Sequence, residues 1–364
     1  MSREEDQRYM HRCIDLAGKG GGWVTPNPMV GCVIVRKGRV VGEGYHQRFG
    51  APHAEVNALQ DAGRAADGAT LYVNLEPCAH YGKTPPCVDS ILEAGVREVV
   101  IASRDPNPLV RGRGIRRLTE AGVHVRVGVL RREAEAANER FFHFMRTGRP
   151  FVGIKLAQTL DGRIADTKGE SRWITGEAAR AEAHRLRAAY DAVLVGARTA
   201  LRDDPQLTVR HVRGRNPIRV VLDGRLRIHE RLRLCDTSEA ETIVLTSERA
   251  VRANPARVKR LRDRGVRVST VGRAPLLRAS DLLEELASYE ISSILVEGGA
   301  ATASLFVRAN AANRIHLFLA PALLGSGLSG LGSPGRTMRS ILRMEDLSVR
   351  RFGSDLLVSA RFPA

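Results

Sequence analysis

The hydropathy pattern of the chain alternates between short β-branched runs and longer amphipathic stretches, and it does so in two successive blocks. In the first block, the runs that predict strands cover residues 30–35, 40–44, 70–75, 98–102 and 124–128. The stretches that predict helices cover residues 54–62, 88–94, 115–121 and 133–145. Lys37-Gly38 separates the first two strands with a tight-turn signal, which indicates a hairpin. The later alternation indicates parallel β–α units with helices on both faces of a sheet.

A second block of the same kind follows Thr147-Gly-Arg-Pro150, which interrupts the helical pattern and marks a domain boundary. Its predicted strands cover residues 151–157, 192–196, 218–222, 242–245, 293–296, 315–319, 347–352 and 355–361. Its predicted helices cover residues 177–188, 255–264, 280–287 and 301–308, and the Gly- and Ser-rich segment 321–336 is predicted as a loop. Because 364 residues are too many for one comfortable core, we expect two α/β domains, residues 1–147 and 148–364.

The chain carries 57 basic and 40 acidic residues, a formal net charge of +17. Such an excess raises the question of a nucleic-acid partner. However, only six of the basic residues are lysines, and the arginines are scattered through both blocks instead of forming one patch. We therefore expect no nucleic-acid partner, with phosphate-bearing small ligands as an alternative use of the charge. The absence of a long apolar run and the acidic first residues predict no membrane partner and a cytoplasmic location.

Three residues in the first block, His53, Cys78 and Cys87, have the chemistry of a zinc site. The five cysteines of the chain are an odd, sparse set and a poor disulfide framework. One imidazole and two thiolates leave the fourth position of a tetrahedral Zn²⁺ open for water, which is typical of catalytic sites. Glu55 lies two residues after His53, where it can carry protons without binding the ion, as in zinc-dependent nucleobase deaminases. Pro86 predicts a helix start at Cys87, where the helix dipole favours a thiolate.

The sequence leaves two other interpretations of these residues open. Eight residues separate the cysteines, whereas the usual deaminase pattern is Pro-Cys-x-x-Cys, so the pair could be two buried thiols. His80 is close enough along the chain to complete a closed structural zinc site in a protein without catalytic activity.

The first block closely resembles the pyrimidine deaminase domain of the bifunctional riboflavin-biosynthesis deaminase/reductases. The stretches that carry the resemblance are Thr25-Pro-Asn-Pro-Met-Val-Gly-Cys-Val-Ile-Val35, Gly42-Glu-Gly-Tyr-His46, His53-Ala-Glu-Val56, Leu75-Glu-Pro-Cys-Ala-His80, Gly82-Lys-Thr-Pro-Pro-Cys87 and Asp105-Pro-Asn-Pro108. The long segment between the cysteines is this family's own form. The resemblance implies a cytidine-deaminase-like three-layer domain, and it implies six substrate-contacting residues: Asn27, His46, His80, Lys83, Asp105 and Asn107. Lys83 would suit a substrate phosphate.

The second block lacks the Gly-x-Gly-x-x-Gly fingerprint of a Rossmann domain. Instead, a hydrophobic strand ends in Glu297-Gly-Gly299 and continues into a helix of small residues, a turn that can bind an anion with backbone N–H groups. This turn, the segment Lys155–Gly162, the segment Gly169–Thr175 and the segment Gly196–Arg210 together resemble the reductase domain of the same family, which is similar to dihydrofolate reductase and uses NADPH.

The resemblance covers nearly the whole chain and implies further contacts in the second block. The implied substrate contacts are Ser171, Arg187, Leu207, Arg210 and Glu297, with the two arginines as phosphate clamps. The implied cofactor contacts are Ala157, Trp173, Thr199, Asp203, Gly224, Gly299, Ala300, Ala301, Thr302, Ala303, Ser304 and Leu305.

The implied activity is a zinc-dependent deamination of a diaminopyrimidinone ribosyl phosphate, with Glu55 moving the protons, followed by hydride transfer from NADPH to the sugar C1′. The expected cofactors are one Zn²⁺ per chain and NADPH, and the expected partner is this phosphorylated pyrimidine. The alternative is a deaminase of bases in tRNA or another nucleic acid, with an accessory domain. The positive net charge is the reason for considering it. The sequence does not decide whether the chain forms a homo-oligomer.

Overall fold

The computed structural model describes residues 2–82, 85–108, 110–332 and 337–363 and comprises two compact units, Met1–Gly148 and Arg149–Ala364. Within these described ranges, the helices all lack the length and apolar character that crossing a bilayer would require.

The first unit contains a five-stranded sheet in the order β2-β1-β3-β4-β5. Its strands are β1 (Gly31–Arg36), β2 (Arg39–Tyr45), β3 (Thr70–Leu75), β4 (Glu98–Ser103) and β5 (His124–Val127). β1 pairs antiparallel with β2 and β3, whereas β3, β4 and β5 run parallel. Lys37 and Gly38 both adopt positive φ angles, 50° and 75°, between β1 and β2, which confirms the predicted hairpin.

Helices cover both faces of this sheet. They are α1 (Arg3–Gly18), α2 (Ala54–Ala62), α3 (Cys87–Glu93), α4 (Arg113–Glu120), α5 (Arg131–Ala137) and α6 (Glu139–Thr147). On one face, Met10 and Cys13 of α1 and Ala134 of α5 share a core with the sheet. On the other face, Ala58 of α2 and Ile91 of α3 share a second core with it. The expected three-layer arrangement is therefore confirmed.

The prediction of one helix over residues 133–145 was wrong, because the chain breaks at Asn138 into α5 and α6. The side chain of Asn138 accepts a hydrogen bond from the Met29 N–H at 2.8 Å and donates one to the Met29 carbonyl at 2.8 Å. An asparagine that binds distant backbone in this way does not favour continuation of the helix. The break sets the direction of α6, which contributes to the pocket described below.

The second unit contains a nine-stranded sheet in the order β11-β10-β9-β8-β12-β6-β13-β16-β15 and a two-stranded sheet, β14-β7. The strands are β6 (Phe151–Thr159), β7 (Arg163–Ala165), β8 (Ala192–Gly196), β9 (Ile218–Leu222), β10 (Thr242–Thr246), β11 (Arg267–Thr270), β12 (Ser293–Glu297), β13 (Arg314–Ala320), β14 (Leu328–Ser329), β15 (Glu345–Phe352) and β16 (Asp355–Arg361). The helices are α7 (Glu177–Ala189), α8 (Ala197–Asp203), α9 (Glu248–Ala253), α10 (Pro255–Asp263), α11 (Ala279–Ser288) and α12 (Ala300–Arg308).

All eight strands predicted in this block are present. The sequence missed β7, β11, β14, α8 and α9, which are short elements without a clear hydrophobic period. Leu328–Ser329 pairs with β7 inside the segment predicted as a loop, and residues 333–336 of that segment lie outside the described residues.

The pairs from β11 through to β13 are parallel, so the carboxyl ends of these strands lie along one edge of the sheet. Ligands of open α/β sheets bind at such an edge. The predicted site residues that come at or just after these ends are Thr199 and Asp203 after β8, Gly224 after β9, and Glu297 and Gly299 at β12.

Candidate functional site

Three elements of the first unit bring the predicted zinc ligands together. His53 is the N-cap of α2, Cys78 follows β3, and Cys87 is the first residue of α3, as predicted from Pro86. One potential ligand atom from each of these residues lies within 4.8 Å of the other two. His53 Nδ1 is 3.1 Å from Cys87 Sγ and 3.6 Å from Cys78 Sγ.

This donor set fits Zn²⁺, which binds imidazole nitrogen and thiolate sulfur in tetrahedral sites. Across the described part of the chain, no further His, Cys, Asp or Glu joins the three-residue group, and His80 is not a member of it. A hydrogen bond from Cys87 and another from His53 lower the pKa of Cys78 to about 4, whereas the contact with Cys78 and burial raise the pKa of Cys87. A divalent cation would favour the thiolate form of both.

Glu55 lies in the first turn of α2, is 3% exposed and lines the same pocket as His53 and Cys78. Burial raises the pKa of this carboxyl. It is not part of the three-residue ligand group. The position suits a group that takes up and returns a proton beside a metal without binding it.

The pocket over these residues has a solvent-accessible volume of about 280 Å³. Five of the six predicted substrate residues of this unit line it: Asn27, His46, His80, Asp105 and Asn107. The sixth, Lys83, lies outside the described residues.

Hydrogen bonds orient three of these polar groups. His46 Nδ1 is 3.1 Å from the Pro52 carbonyl oxygen, and His46 Nε2 is 3.1 Å from Asn27 Nδ2. Because a carbonyl can only accept, Nδ1 carries the proton and Nε2 accepts from the amide of Asn27. Burial lowers the pKa of His46, which favours this neutral form. Burial raises the pKa of Asp105 to about 7, and its Oδ1 accepts the Asn107 N–H at 2.8 Å.

Sequence reasoning missed the apolar wall and one organising carboxylate of the pocket. Phe49, Phe141 and Met145 line it, the last two from α6. Buried Glu76 accepts hydrogen bonds from the backbone N–H groups of Asp105, Gly112 and Ile115 at 3.3, 3.0 and 3.2 Å. The position of Glu76 beside Pro77-Cys78 was the available signal, whereas the positions of Phe141 and Met145 depend on the unforeseen break at Asn138.

In the second unit, Arg187 and Glu297 form a buried bidentate ion pair with N–O distances of 2.5 and 2.8 Å. Arg187 also donates to the Thr208 carbonyl at 3.1 Å. Burial raises the pKa of Glu297, but the Arg187 guanidinium more than offsets this and holds the pKa at about 2. Arg187, predicted as a phosphate clamp, is therefore already engaged by another predicted substrate residue.

Lys155 is a neighbour of this pair that the sequence placed in a cluster without assigning it a role. Its Nζ lies 4.0 Å from Glu297 Oε2 and 5.7 Å from the centre of the Phe318 ring. Burial lowers the pKa of Lys155.

The segment around Leu207 and Arg210 packs against α7. The Arg210 N–H donates to His184 Nδ1 at 3.2 Å, and the Arg210 guanidinium donates to Gln206 Oε1 at 2.6 Å and to Thr208 Oγ1 at 3.3 Å. Leu207 is buried and has a φ of 57°. In the described ranges, Ser171 has no hydrogen bond or ion pair to another predicted site residue.

The predicted cofactor turn has the backbone shape that an anion requires. Gly298 and Gly299 have φ angles of 87° and 76°, and a Cβ on either would lie 3.1–3.3 Å from the side chain of Thr199. The turn opens α12 at Ala300, where the first N–H groups have no intrahelical acceptor. Thr199 and Gly299 follow adjacent parallel strands, β8 and β12, and the turn between β12 and α12 has the free N–H groups that a pyrophosphate would require.

The other predicted cofactor residues lie around this edge. Asp203 accepts a hydrogen bond at its carbonyl from the Arg172 guanidinium at 3.0 Å, which fixes the loop that carries Trp173. Trp173 is 71% exposed, with the Arg180 guanidinium 4.5 Å from its ring centre. Ala157 lies on β6, opposite Phe318. Gly224 follows β9, which is separated from β12 by β8, so Gly224 lies further along the same edge of the sheet than Thr199 does.

Glu297→Gln is expected to destabilise the second unit by about 3–5 kcal/mol, because it leaves the buried Arg187 charge without its counter-ion. Equilibrium denaturation of the full chain measures this loss. Glu284→Gln is the matched control: it removes a carboxylate from an exposed ion pair with Arg149, and such pairs contribute about 0–1 kcal/mol.

The loss of stability caused by Glu297→Gln is expected to depend on pH. Folding lowers the pKa of Glu297 from 4.5 to about 2, so the ionised carboxylate contributes stability above pH 4.5 and loses it as the pH falls toward 2. The stability difference between wild type and Glu297→Gln should shrink over that interval. If Glu284→Gln and Glu297→Gln lost the same free energy of unfolding at every pH, the proposed stabilisation by the Arg187–Glu297 ion pair would be contradicted.

Two family models match the chain, one in each half. The family model for the cytidine and deoxycytidylate deaminase zinc-binding region matches residues 3–103, and the model for the RibD C-terminal domain matches residues 150–358. The chain is 43% identical over 360 residues to the riboflavin biosynthesis protein RibD of Aquifex aeolicus, a match that covers 98% of this chain and 99% of that protein. It is 42% identical over 340 residues to RibD of Escherichia coli, covering 90% of each.

Solved structures show the same relationship over the whole length. RibD of Acinetobacter baumannii superimposes with a TM-score of 0.90 at 37% identity and 100% coverage of both chains. The diaminohydroxyphosphoribosylaminopyrimidine deaminase/5-amino-6-(5-phosphoribosylamino)uracil reductase of Thermotoga maritima superimposes with a TM-score of 0.85 at 38% identity and 99% coverage of both.

These matches confirm the predicted fold class, a cytidine-deaminase-like domain followed by a dihydrofolate-reductase-like domain, and favour it over a nucleic-acid deaminase with an accessory domain. They also confirm zinc and NADPH as the cofactors. The chain belongs to the RibD family and is a bifunctional riboflavin-biosynthesis enzyme, a zinc-dependent deaminase joined to an NADPH-dependent reductase.

Proposed function

We propose that residues 1–147 deaminate 2,5-diamino-6-(5-phosphoribosylamino)pyrimidin-4(3H)-one and that residues 148–364 reduce the ribosyl group of the product to ribityl. The product of both steps is 5-amino-6-(5-phosphoribitylamino)uracil. The observation that carries the proposal is the convergence of Glu55, His53 and Cys78 at a pocket lined by polar and aromatic side chains, with Cys87 completing the group of metal ligands. The two activities of the Thermotoga maritima relative, a diaminohydroxyphosphoribosylaminopyrimidine deaminase and a 5-amino-6-(5-phosphoribosylamino)uracil reductase, support this choice of substrate.

In the first step, His53, Cys78 and Cys87 would hold Zn²⁺, which when bound makes water a competent nucleophile at neutral pH. Glu55 takes a proton from the attacking water and passes it to the ring nitrogen beside the reacting carbon, and it then moves the proton of the new hydroxyl group to the amino nitrogen, which leaves the ring as ammonia. Water thus supplies the oxygen of the new ring carbonyl. The burial of Glu55 supports this role, because a raised pKa lets the carboxyl hold a proton near neutral pH.

The remaining pocket residues bind and orient the substrate. Asn27 and neutral His46 present one hydrogen-bonded pair of polar groups to the pocket, and Asp105 with Asn107 presents a second pair. His80 lines the same pocket, and Lys83 is proposed to bind the phosphate of the substrate. Phe49 and Phe141 provide the apolar surface that a planar pyrimidine requires.

In the second step, NADPH when bound would supply the hydride that reduces C1′ of the sugar; the bond from C1′ to the ring oxygen breaks, that oxygen takes up a proton, and a ribityl chain results. The Gly299 turn at α12, with Thr199 beside it, is proposed to bind the pyrophosphate of the cofactor through backbone N–H groups. The other residues proposed to contact NADPH are Ala157, Trp173, Asp203, Gly224, Ala300, Ala301, Thr302, Ala303, Ser304 and Leu305.

Substrate binding in this unit is proposed for Ser171, Leu207, Arg210 and the Arg187–Glu297 pair. The Arg210 guanidinium is positioned by Gln206 and Thr208 and can still pair with a phosphate oxygen. Glu297 is held ionised by Arg187, so it can accept a hydrogen bond from a sugar hydroxyl. A cytoplasmic location stays a prediction.

The experiment that tests the proposed function supplies purified full chain with the diaminopyrimidinone ribosyl phosphate and follows ammonia and NADPH absorbance in one vessel. We expect ammonia to be released first and NADPH to be consumed only afterwards. Oxidation of NADPH without earlier ammonia release would contradict the proposed order. Deamination of RNA with tight, salt-sensitive RNA binding would instead support the alternative of a nucleic-acid deaminase.

A further inference from the structure

We propose that Arg249 and Arg273 bind the 2′-phosphate of the adenosine ribose of NADPH and thereby select NADPH over NADH. The inference rests on the proposed placement of the dinucleotide at the Gly299 turn. It extends that placement to two arginines that neither the sequence patterns nor the family resemblance singled out.

The strand order fixes the direction in which the adenosine half must extend. Along the edge formed by the carboxyl ends, the sequence of strands from the Gly299 turn outward is β12, β8, β9, β10 and β11. The proposed contacts of the pyrophosphate lie at β12 and β8, and Gly224 lies at β9. β10 and β11 are the next strands outward, in steps of about 4.8 Å. A dinucleotide that continues past Gly224 therefore reaches the loops that follow β10 and β11.

Direct contacts join these loops into one surface. Ser247 Oγ, just after β10, donates to the Gly224 carbonyl at 2.8 Å. A Cβ at position 224 would lie 2.0 Å from the carbonyl oxygen of Pro275, so the backbone after β11 packs directly on Gly224. The Arg249 N–H donates to the Arg273 carbonyl at 3.3 Å. The two arginines are therefore held next to each other and close to a proposed cofactor residue.

A surface depression lies between these two arginines. Its lining consists of Glu248, Arg249, Arg252, Ala253 and Arg273, and its solvent-accessible volume is about 690 Å³. Glu248 pairs with Arg252 at 3.5 Å, so these two charges largely offset one another. Within residues 2–82, 85–108, 110–332 and 337–363, no carboxylate forms an ion pair with Arg249 or Arg273. The depression thus presents two guanidinium groups without an internal counter-ion.

The charge and chemistry of this depression fit a phosphate monoester. Guanidinium groups pair bidentately with phosphate oxygens, and an exposed pair can do so without first breaking an internal ion pair. NADPH carries such a group on its adenosine ribose and NADH carries a hydroxyl there. The Arg249 and Arg273 side chains would therefore contribute to the binding of NADPH but little to the binding of NADH.

The test measures dissociation constants of NADP⁺ and NAD⁺ for the full chain by titration calorimetry, so that its readout does not depend on turnover. We expect the Arg249→Gln, Arg273→Gln double variant to bind NADP⁺ about 100-fold more weakly, at about tenfold for each charged contact removed, and to bind NAD⁺ as wild type does. Arg262→Gln, a matched loss of one exposed charge on α10, should bind both nucleotides unchanged. An unchanged denaturation midpoint of the second unit in the double variant would show that this unit, which carries both arginines, is folded.

Three results would overturn the inference: unchanged NADP⁺ binding by the double variant, equal weakening of NADP⁺ and NAD⁺, or wild-type binding of the two nucleotides with equal affinity. Gly299→Ala separates this inference from the proposed function. This substitution places a side chain at a φ of 76° in the turn proposed to bind the pyrophosphate. It should therefore weaken the binding of NADP⁺ and of NAD⁺ to the same extent. If Gly299→Ala has no effect, the proposed cofactor placement fails, whereas the arginine pair is judged only by the difference between NADP⁺ and NAD⁺.

Discussion

Replacing Glu55 by glutamine is expected to lower ammonia release by about 10²–10⁴-fold while the zinc content stays at the wild-type level. The amide keeps the size of the side chain in its buried position but cannot take a proton from water and return it to the leaving nitrogen. Because Glu55 does not belong to the ligand group His53, Cys78 and Cys87, the metal should remain bound. Ammonia release and metal analysis on the same preparation measure the two quantities.

The control for this variant is Glu93→Gln, which makes the same chemical change at an exposed position on α3. It should leave ammonia release unchanged. Reduction of the deaminated substrate by Glu55→Gln should also be unchanged, since the reductase residues belong to the second unit. Ammonia release by Glu55→Gln at the wild-type rate would exclude Glu55 as the proton carrier.

Removing one zinc ligand by His53→Ala should eliminate both bound zinc and ammonia release. Two thiolates alone do not complete the donor set of a mononuclear zinc site, and a metal that binds the folded state stabilises it. The first unit should therefore unfold at a lower denaturant concentration as well. NADPH-dependent reduction of the deaminated substrate should persist, which distinguishes loss of the metal from general misfolding.

Cys235→Ala is the control for the metal-ligand variant, because it removes a buried thiol from the second unit. It should retain zinc and ammonia release. Full zinc content in His53→Ala would contradict the assignment of the ligands.

The fold was largely predictable because local sequence determines most of its elements. Pro86 predicted the helix start that places Cys87, and Lys37-Gly38 predicted the hairpin between β1 and β2. The bounds of β3 and α2 agree with the prediction residue for residue. Where the hydrophobic period and the turn residues indicate the same element, the local sequence is sufficient to predict that element and its bounds.

The features that were not predicted depend on partners far away in sequence. Asn138 breaks a helical pattern because its side chain binds Met29, 109 residues earlier. Arg187 has the pattern of a free phosphate clamp, but Glu297, 110 residues later, engages it. Arg249 and Arg273 become neighbours only through the adjacency of β10 and β11. No local pattern contains such information.

The zinc ligands were recognisable because few residue types bind zinc and each of the two cysteines follows a proline. The lining of the pocket was less recognisable. In the sequence, Phe141 and Met145 resemble ordinary core positions of an amphipathic helix, and only the direction of α6 makes them part of the pocket lining.

X-ray absorption spectroscopy of the zinc-loaded full chain tests the central claim most directly. We predict a first shell of two sulfur atoms at about 2.3 Å with one nitrogen and one further light atom at about 2.0–2.1 Å, and exchange of that light atom by a small anion such as cyanide. A shell of three sulfur atoms, or two sulfur and two imidazole nitrogen atoms that do not exchange, would show a closed structural site and contradict the account.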